Sequence, residues 1–225
     1  MASEAQLTAL GYVESYRRLS GVGPVEINGA VAAEQQECAL LMHANNNISH
    51  SPPAEWLCYT EAGAAAAGSS LIAWGFSSAA STVDAYVQET ISGLPHRRNV
   101  LSVGRAGVLF GHAGSGGCMR YGGSYTALGT DPEYVYQPNP GFAPIAVFSS
   151  RWSVQPGTGG SATFTTQIFR ESNDEELPVT QLASGSSLTS WQLDGWSVEL
   201  DETYRVVLTG DVGVREYTTT PIQCP

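Results

Sequence analysis

Apolar residues are spaced at helical intervals in the first half of the chain. They recur in this way over residues 3–19, and again over a segment that begins near Asn28, a residue type that caps helices well. A third helical pattern covers residues 81–95. Alternating, glycine-containing segments over residues 105–112 and 117–129 predict an antiparallel hairpin. The first half is therefore predicted to mix about three helices with a few strands.

The pattern changes after about residue 130. Residues 130–142 contain prolines and little periodicity, which is typical of a linker. Beyond them, short alternating segments are separated by turn sequences such as "QPGTGG" and "LDGW", and "TYRVVLTG" resembles a late strand of an immunoglobulin-like sandwich. We therefore predict an α+β chain with a mixed first domain over residues 1–129 and an all-β sandwich over residues 143–225.

Composition and charge exclude several classes of protein. The 225 residues carry a net charge of −11, and all ten basic residues are arginine. Nucleic acid and anionic membranes need a basic surface, so neither is an expected partner. No apolar run approaches the ~18 residues of a membrane span. The N-terminus has no basic segment followed by an apolar one, which fits a mature secreted chain given an initiator Met, or a cytosolic protein.

Four cysteines, Cys38, Cys58, Cys118 and Cys224, are widely spaced and form no C-x-x-C pair. A zinc ribbon or a thioredoxin-type motif is therefore not expected. An even count at wide spacing favours two disulfides and an oxidising compartment. Free buried thiols are the alternative.

Histidines supply the candidate chemistry. His50 lies in the loop after the second predicted helix, and His96 follows the third, seven residues after Glu89. Two histidines and one glutamate are a common zinc ligand set. Spacing alone does not bring them together, so histidines with structural hydrogen bonds are the alternative. The chain has no G-x-S-x-G, P-loop or H-E-x-x-H motif.

Five segments resemble the CAP superfamily (cysteine-rich secretory, antigen 5 and pathogenesis-related proteins), in its bacterial branch. In chain order they are "YRRLSGVGPVEIN", "AAEQQECALLMHANNNISHSP", "SSLIAWG", "VDAYVQE" and "PHRRNVL". The resemblance covers roughly residues 5–128 and implies an α/β/α sandwich around a small antiparallel sheet. Bacterial members often carry a β-rich C-terminal extension, which "RWSV" and "TYRVVL" resemble.

The resemblance also implies a site. The family cleft holds two histidines and two acids, and several members bind zinc or another divalent ion there. By position, His50 and His96 match the histidines, Glu89 matches the second acid, and Ser70 stands where the first acid is expected. A neutral hydroxyl in place of a carboxylate leaves less negative charge for a cation, so we expect weaker metal binding or none.

The resemblance further implies a secreted protein, extracellular or periplasmic, whose cleft binds a divalent metal or small ligand without catalysis. A lipid or an extracellular protein is a further possible partner. One alternative is a hydrolase that uses Ser70, His50 and Glu89, with His96, in its cleft. Another is a purely structural adhesion or envelope module.

We also predict the disulfide pairing. Cys38 and Cys58 are expected to close a loop of about 20 residues around His50, which would contribute about 3 kcal/mol. By exclusion, Cys118 is then expected to pair with Cys224.

Overall fold

A computed structural model describes residues 2–27, 32–122 and 131–224. Helices and several antiparallel sheets make up an α+β chain, as the sequence predicts. The predicted cap Asn28 and residues 123–129 of the predicted hairpin lie outside the described residues.

The chain forms two compact units that alternate along the sequence. The first comprises Met1–Tyr16, Gly23–Val87 and Gly104–Leu128, and the second comprises Arg17–Val22, Gln88–Val103 and Gly129–Pro225. The segment that carries Glu89 and His96 therefore groups with the β-rich part of the chain, whereas the sequence places it in the first domain.

The helices are, in chain order, α1 (Glu4–Leu19), α2 (Ala32–Ala44), α3 (Glu61–Gly68), α4 (Ala79–Val87) and α5 (Pro95–Val100). Helix α1 confirms the first predicted helix. Ser3 caps it, because its Oγ accepts the N–H of Gln6 at 3.3 Å while the Gln6 side chain accepts the N–H of Ser3 at 2.8 Å. Helix α4 is shorter than predicted and ends at Val87, so Glu89 lies beyond it and not on it.

A four-stranded sheet belongs to the first unit. Its strands are β1 (Glu26–Ile27), β2 (Leu71–Trp74), β3 (Gly107–Ala113) and β4 (Gly116–Gly122), in the spatial order β1-β3-β4-β2. The antiparallel β3–β4 pair confirms the predicted hairpin over the described residues. Among the described residues of this sheet, β1 pairs with β3 in parallel, and the other two pairings are antiparallel.

Glycines of the hairpin let helix α2 pack directly on its backbone. A Cβ at Gly111 would lie 2.1 Å from the carbonyl oxygen of Gln35, and one at Gly116 would lie 2.2 Å from that of Ala39. No side chain fits at either position. The helix and the hairpin are therefore in contact through their main chains, and α3 adds the small side chains of Ala66 and Ala67 to the same core.

The disulfide prediction is wrong in its pairing. Cys38 of α2 is bonded to Cys118 of β4, within the buried core of the first unit, and Cys58 and Cys224 are exposed free thiols. The reason is geometric. The close approach of α2 to the glycine-rich hairpin brings residues 80 positions apart in sequence to a Cα–Cα distance of 6.1 Å.

The second unit contains two sheets. Their strands are β5 (Tyr134–Gln137), β6 (Gly141–Pro144), β7 (Arg151–Pro156), β8 (Phe164–Arg170), β9 (Glu175–Leu177), β10 (Val179–Gly185), β11 (Leu188–Leu193), β12 (Tyr204–Gly210) and β13 (Gly213–Ile222). One sheet has the order β10-β11-β7-β5 and the other has the order β6-β13-β12-β8-β9. Strand β5 and the start of β6 fall within residues 130–142, where the sequence predicts a linker.

Both sheets contribute side chains to one hydrophobic core. Trp152 of β7 and Trp191 of β11 come from the first sheet, and Phe164, Tyr204 and Val206 come from the second. Edge-on ring contacts join them, for example between Trp152 and Tyr204 at a centroid distance of 6.1 Å. In β12, every second residue is apolar and points into this core, as the alternating sequence predicts.

Candidate functional site

The residues proposed from the sequence fall into two pairs, one in each unit. The first pair is His50 and Ser70, and the second pair is Glu89 and His96.

His50 lies in an exposed loop after helix α2. Its Nδ1 is 2.8 Å from the carbonyl oxygen of Ala67 in α3. A carbonyl only accepts hydrogen bonds, so Nδ1 carries a proton and the orientation of the ring is fixed by backbone. Any ligand of His50 would therefore have to be bound through Nε2.

Asn45, and not a disulfide, closes the loop around His50. Its side chain donates to the carbonyl oxygen of Leu41 at 2.9 Å and to that of Leu57 at 3.0 Å, and it accepts the N–H of Leu57 at 3.0 Å. These bonds join the end of α2 to the far side of the loop. From the sequence, Asn45 reads only as part of a run that ends a helix.

Ser70 is buried and has neutral partners. Its Oγ lies 2.6 Å from the carbonyl oxygen of Ala66 and 2.8 Å from Oε1 of the buried Gln35. A hydroxyl has one proton, which is shared between these two acceptors. Within the described residues Ser70 has no hydrogen bond to His50, so the contact that a hydrolase using these two residues would need is not formed.

Glu89 and His96 form a close pair in the second unit. Nδ1 of His96 is 2.7 Å from Oε2 of Glu89, whose side chain is only 3% exposed. An ionised carboxylate only accepts hydrogen bonds, so Nδ1 of His96 is the donor. The other carboxylate oxygen, Oε1, accepts the backbone N–H of Arg97 at 2.8 Å.

Arg97, beside this pair, is a buried residue that sequence reasoning missed. It is fully buried, and its guanidinium donates to the Arg151 carbonyl at 2.8 Å, to Ser153 Oγ at 3.2 Å and to Ser149 Oγ at 3.1 Å. The "PHRRNVL" motif contains it, but an arginine beside a histidine in sequence usually reads as a surface charge. Its burial depends on strand β7, which is more than fifty residues away in the chain.

The remaining two histidines have structural partners. His43 Nδ1 accepts the N–H of Ser115 at 3.2 Å, and Nε2 of His112 lies 3.3 Å from the carbonyl oxygen of Phe76. The first contact holds the turn between β3 and β4, and the second joins β3 to the segment after β2. Neither histidine therefore belongs to the Glu89–His96 pair or to the loop of His50.

No group of three or more histidine, cysteine, aspartate or glutamate side chains that could hold a metal ion occurs in residues 2–27, 32–122 and 131–224. What the second unit provides is one imidazole oriented by a buried carboxylate. The first unit provides one imidazole oriented by a backbone carbonyl.

Comparison with protein-family models, with curated proteins and with solved structures gave no significant match. None of the described helices is both long and apolar enough to cross a membrane.

Proposed function

We propose that the chain is an extracellular CAP-type binding protein whose binding centre is His96, with a divalent cation such as zinc as ligand and no catalysis. The observation that carries this proposal is the 2.7 Å contact between His96 Nδ1 and the buried Glu89 carboxylate. Metal-binding histidines commonly donate their second N–H to a carboxylate, which sets the tautomer, orients the ring and raises its basicity. Coordination would then use Nε2 of His96.

Glu89 is assigned an orienting role in this proposal. Each of its oxygens already accepts an N–H group, one from His96 and one from Arg97. The resemblance implies a direct metal ligand at this position. In this proposal the carboxylate instead accepts the Nδ1–H of the ligating histidine and orients its ring. With Ser70 in place of the other acid, we expect a cation to be held less tightly than by a site with two carboxylates.

The fold families of the two units are part of the same proposal. We infer a CAP-type arrangement for the first unit and an immunoglobulin-like sandwich for the β-rich unit. Five motifs in the family's order, the packing of α2 on an antiparallel hairpin, and two sheets that share one core support it. The Cys38–Cys118 disulfide supports an oxidising and hence extracellular or periplasmic location.

Isothermal titration of the metal-free protein with zinc tests the proposal, on material purified without a metal-affinity tag. We expect about one zinc ion per chain and no detectable binding in His96→Ala, because this variant removes the ligand that the proposal names. Glu89→Gln should lose between about 10-fold and 100-fold, because the imidazole is no longer oriented by a carboxylate. His50→Ala is a separate variant that reports whether the loop histidine contributes.

His43→Ala is the matched control, since His43 is exposed and its Nδ1 is held by the Ser115 N–H. Zinc binding should be unchanged in it. The proposed function is wrong if the wild-type protein binds no zinc, or if His96→Ala and His43→Ala bind zinc equally well.

A further inference from the structure

Two consecutive residues bind the Glu89 carboxylate. His96 donates from its ring to Oε2 at 2.7 Å, and Arg97 donates from its backbone to Oε1 at 2.8 Å. The orientation of the carboxylate therefore depends on the position of the first turn of helix α5. Any element that fixes this turn also fixes the direction of the His96 ring.

Helix α5 cannot fix its own position. It has six residues, and Leu94 before it adopts a left-handed conformation and supplies no side-chain cap. Isolated helices of this length are unstable, because few hydrogen bonds offset the cost of nucleation. The turn that carries His96 must therefore be held by contacts to other parts of the second unit.

The Arg97 side chain makes such contacts with one short stretch of chain. Its acceptors are the carbonyl oxygen of Arg151 and the hydroxyls of Ser149 and Ser153, at 2.8 to 3.2 Å. Ser149 Oγ also donates to the Arg151 carbonyl at 2.8 Å, which holds two of the acceptors in a fixed relation. A guanidinium is a planar group with its N–H donors in a rigid fork, so three acceptors define its plane.

Strand β7 contacts the same segment at two further points. The Arg151 guanidinium donates to the carbonyl oxygen of Thr90, next to Glu89. The Gln155 side chain donates to the carbonyl oxygen of Arg98 at 3.2 Å. The strand is therefore bonded to the residue that follows Glu89 and to the second residue after His96.

We propose that strand β7 positions the Glu89–His96 pair, and that Arg97 is the positioning residue that links them. The β-rich unit then has a role in the binding centre itself, since its Ser149 and Ser153 hydroxyls hold the guanidinium of Arg97, and the backbone N–H of the same residue binds Glu89. The inference rests on the proposed function, because it takes the pair to be the binding centre. The inference also explains why the Glu89–His96 pair has this geometry, and the geometry can be tested without any metal.

The test is nuclear magnetic resonance of the metal-free protein at one fixed pH, with ¹⁵N-labelled histidine. In the wild-type protein, the Nδ1–H of His96 should give a downfield proton signal that exchanges slowly with water. In Ser149→Ala/Ser153→Ala we expect this proton to exchange about tenfold faster, because the carboxylate that accepts it is no longer held in place. The two single variants should each show part of the effect.

Ser190→Ala is the matched control. Ser190 is buried like Ser153, is its cross-strand neighbour in β11, and has no hydrogen bond to Arg97 in the described structure. It should leave the His96 signal unchanged while it removes a buried hydroxyl from the same sheet. Arg97→Lys, which keeps the charge but loses the fork, should reproduce the effect of the double serine variant.

The result separates this inference from the proposed function. Unchanged exchange in a folded double serine variant overturns the positioning role, whether or not zinc binds. A changed signal in the double variant but not in Ser190→Ala supports it, even if the wild-type protein binds no zinc. If the double variant does not fold, the same comparison is made with the single variants.

Discussion

The two histidines expected from the sequence use the same ring nitrogen in different surroundings. His50 Nδ1 donates to the backbone carbonyl of Ala67 from an exposed loop, and its unit places a neutral serine where an acid was expected. His96 Nδ1 donates to a carboxylate that is almost fully buried. One imidazole is held by neutral groups and the other by a negative charge.

The comparison separates two ways in which a histidine ring is oriented in this molecule. A backbone carbonyl orients an imidazole through a neutral acceptor, whereas a buried carboxylate orients it and also places a negative charge beside the ring. The first unit depends on main-chain packing and a disulfide for its geometry. The histidine of the second unit is held by a buried carboxylate whose two oxygens both accept N–H groups.

The largest expected effect tests the covalent support of the first unit. Cys38→Ala/Cys118→Ala opens a link between residues 80 positions apart. Loop entropy predicts a loss of about 4 kcal/mol in the free energy of unfolding. Urea unfolding measures it, and the His50 ring signals should change more than those of His96.

Cys58→Ser/Cys224→Ser is the control for this prediction, since both thiols are exposed and free. Its free energy of unfolding should stay within about 0.5 kcal/mol of the wild type. If the control loses as much stability as the Cys38/Cys118 variant, a second disulfide supports the fold. Peptide mapping under non-reducing conditions would then identify it.

The next effect tests the Glu89–His96 pair of the second unit. In Glu89→Gln one carboxylate oxygen becomes an NH₂ group that faces an N–H donor of either His96 or Arg97. A buried donor left without an acceptor costs about 1–3 kcal/mol, and we expect a loss of about 2 kcal/mol in urea unfolding.

Glu37→Gln is the matched control, in the first unit. Glu37 is only partly buried and accepts one hydrogen bond, from the Thr60 hydroxyl at 2.6 Å, which the amide oxygen of glutamine can also accept. The change should stay within about 0.5 kcal/mol. Equal losses in the two variants would remove the contrast between the units.

Local elements of the fold could be predicted from the sequence, but the contacts between them could not. Helix α1, the β3–β4 hairpin and the strands with alternating residues follow from periods of 3.6 and 2. The Cys38–Cys118 bond does not, because it depends on Gly111 and Gly116 letting α2 reach the hairpin. A glycine in a strand shows that something approaches closely but does not show what.

The same limit applies to the site. His50, Glu89 and His96 could be selected by residue type and by resemblance, and Glu89 and His96 lie close enough in sequence to pair. Arg97 could not be selected, because its acceptors lie on residues 149–153, in and just before strand β7, more than fifty positions away in the chain. Short-range pattern identifies a group that can react, whereas the groups that orient it come from distant parts of the chain.

The smallest expected effect concerns Asp84, a carboxylate of the first unit with one described hydrogen bond. It accepts the Tyr16 hydroxyl at 2.9 Å, and partial burial raises its pKa above the ordinary value while that hydrogen bond lowers it in part. The folded state then holds the proton more tightly than the unfolded state. Stability contributed by Asp84 is therefore present at low pH and lost as pH rises through the folded pKa.

Asp84→Asn keeps an acceptor for Tyr16 but cannot ionise. We expect the variant to lose less stability than the wild type between about pH 3 and pH 6, by under about 1 kcal/mol, in urea unfolding across that range. Asp211→Asn, at an exposed aspartate, should follow the wild-type curve. A steeper loss in Asp84→Asn would show that the Tyr16 hydroxyl lowers the pKa of Asp84 by more than burial raises it.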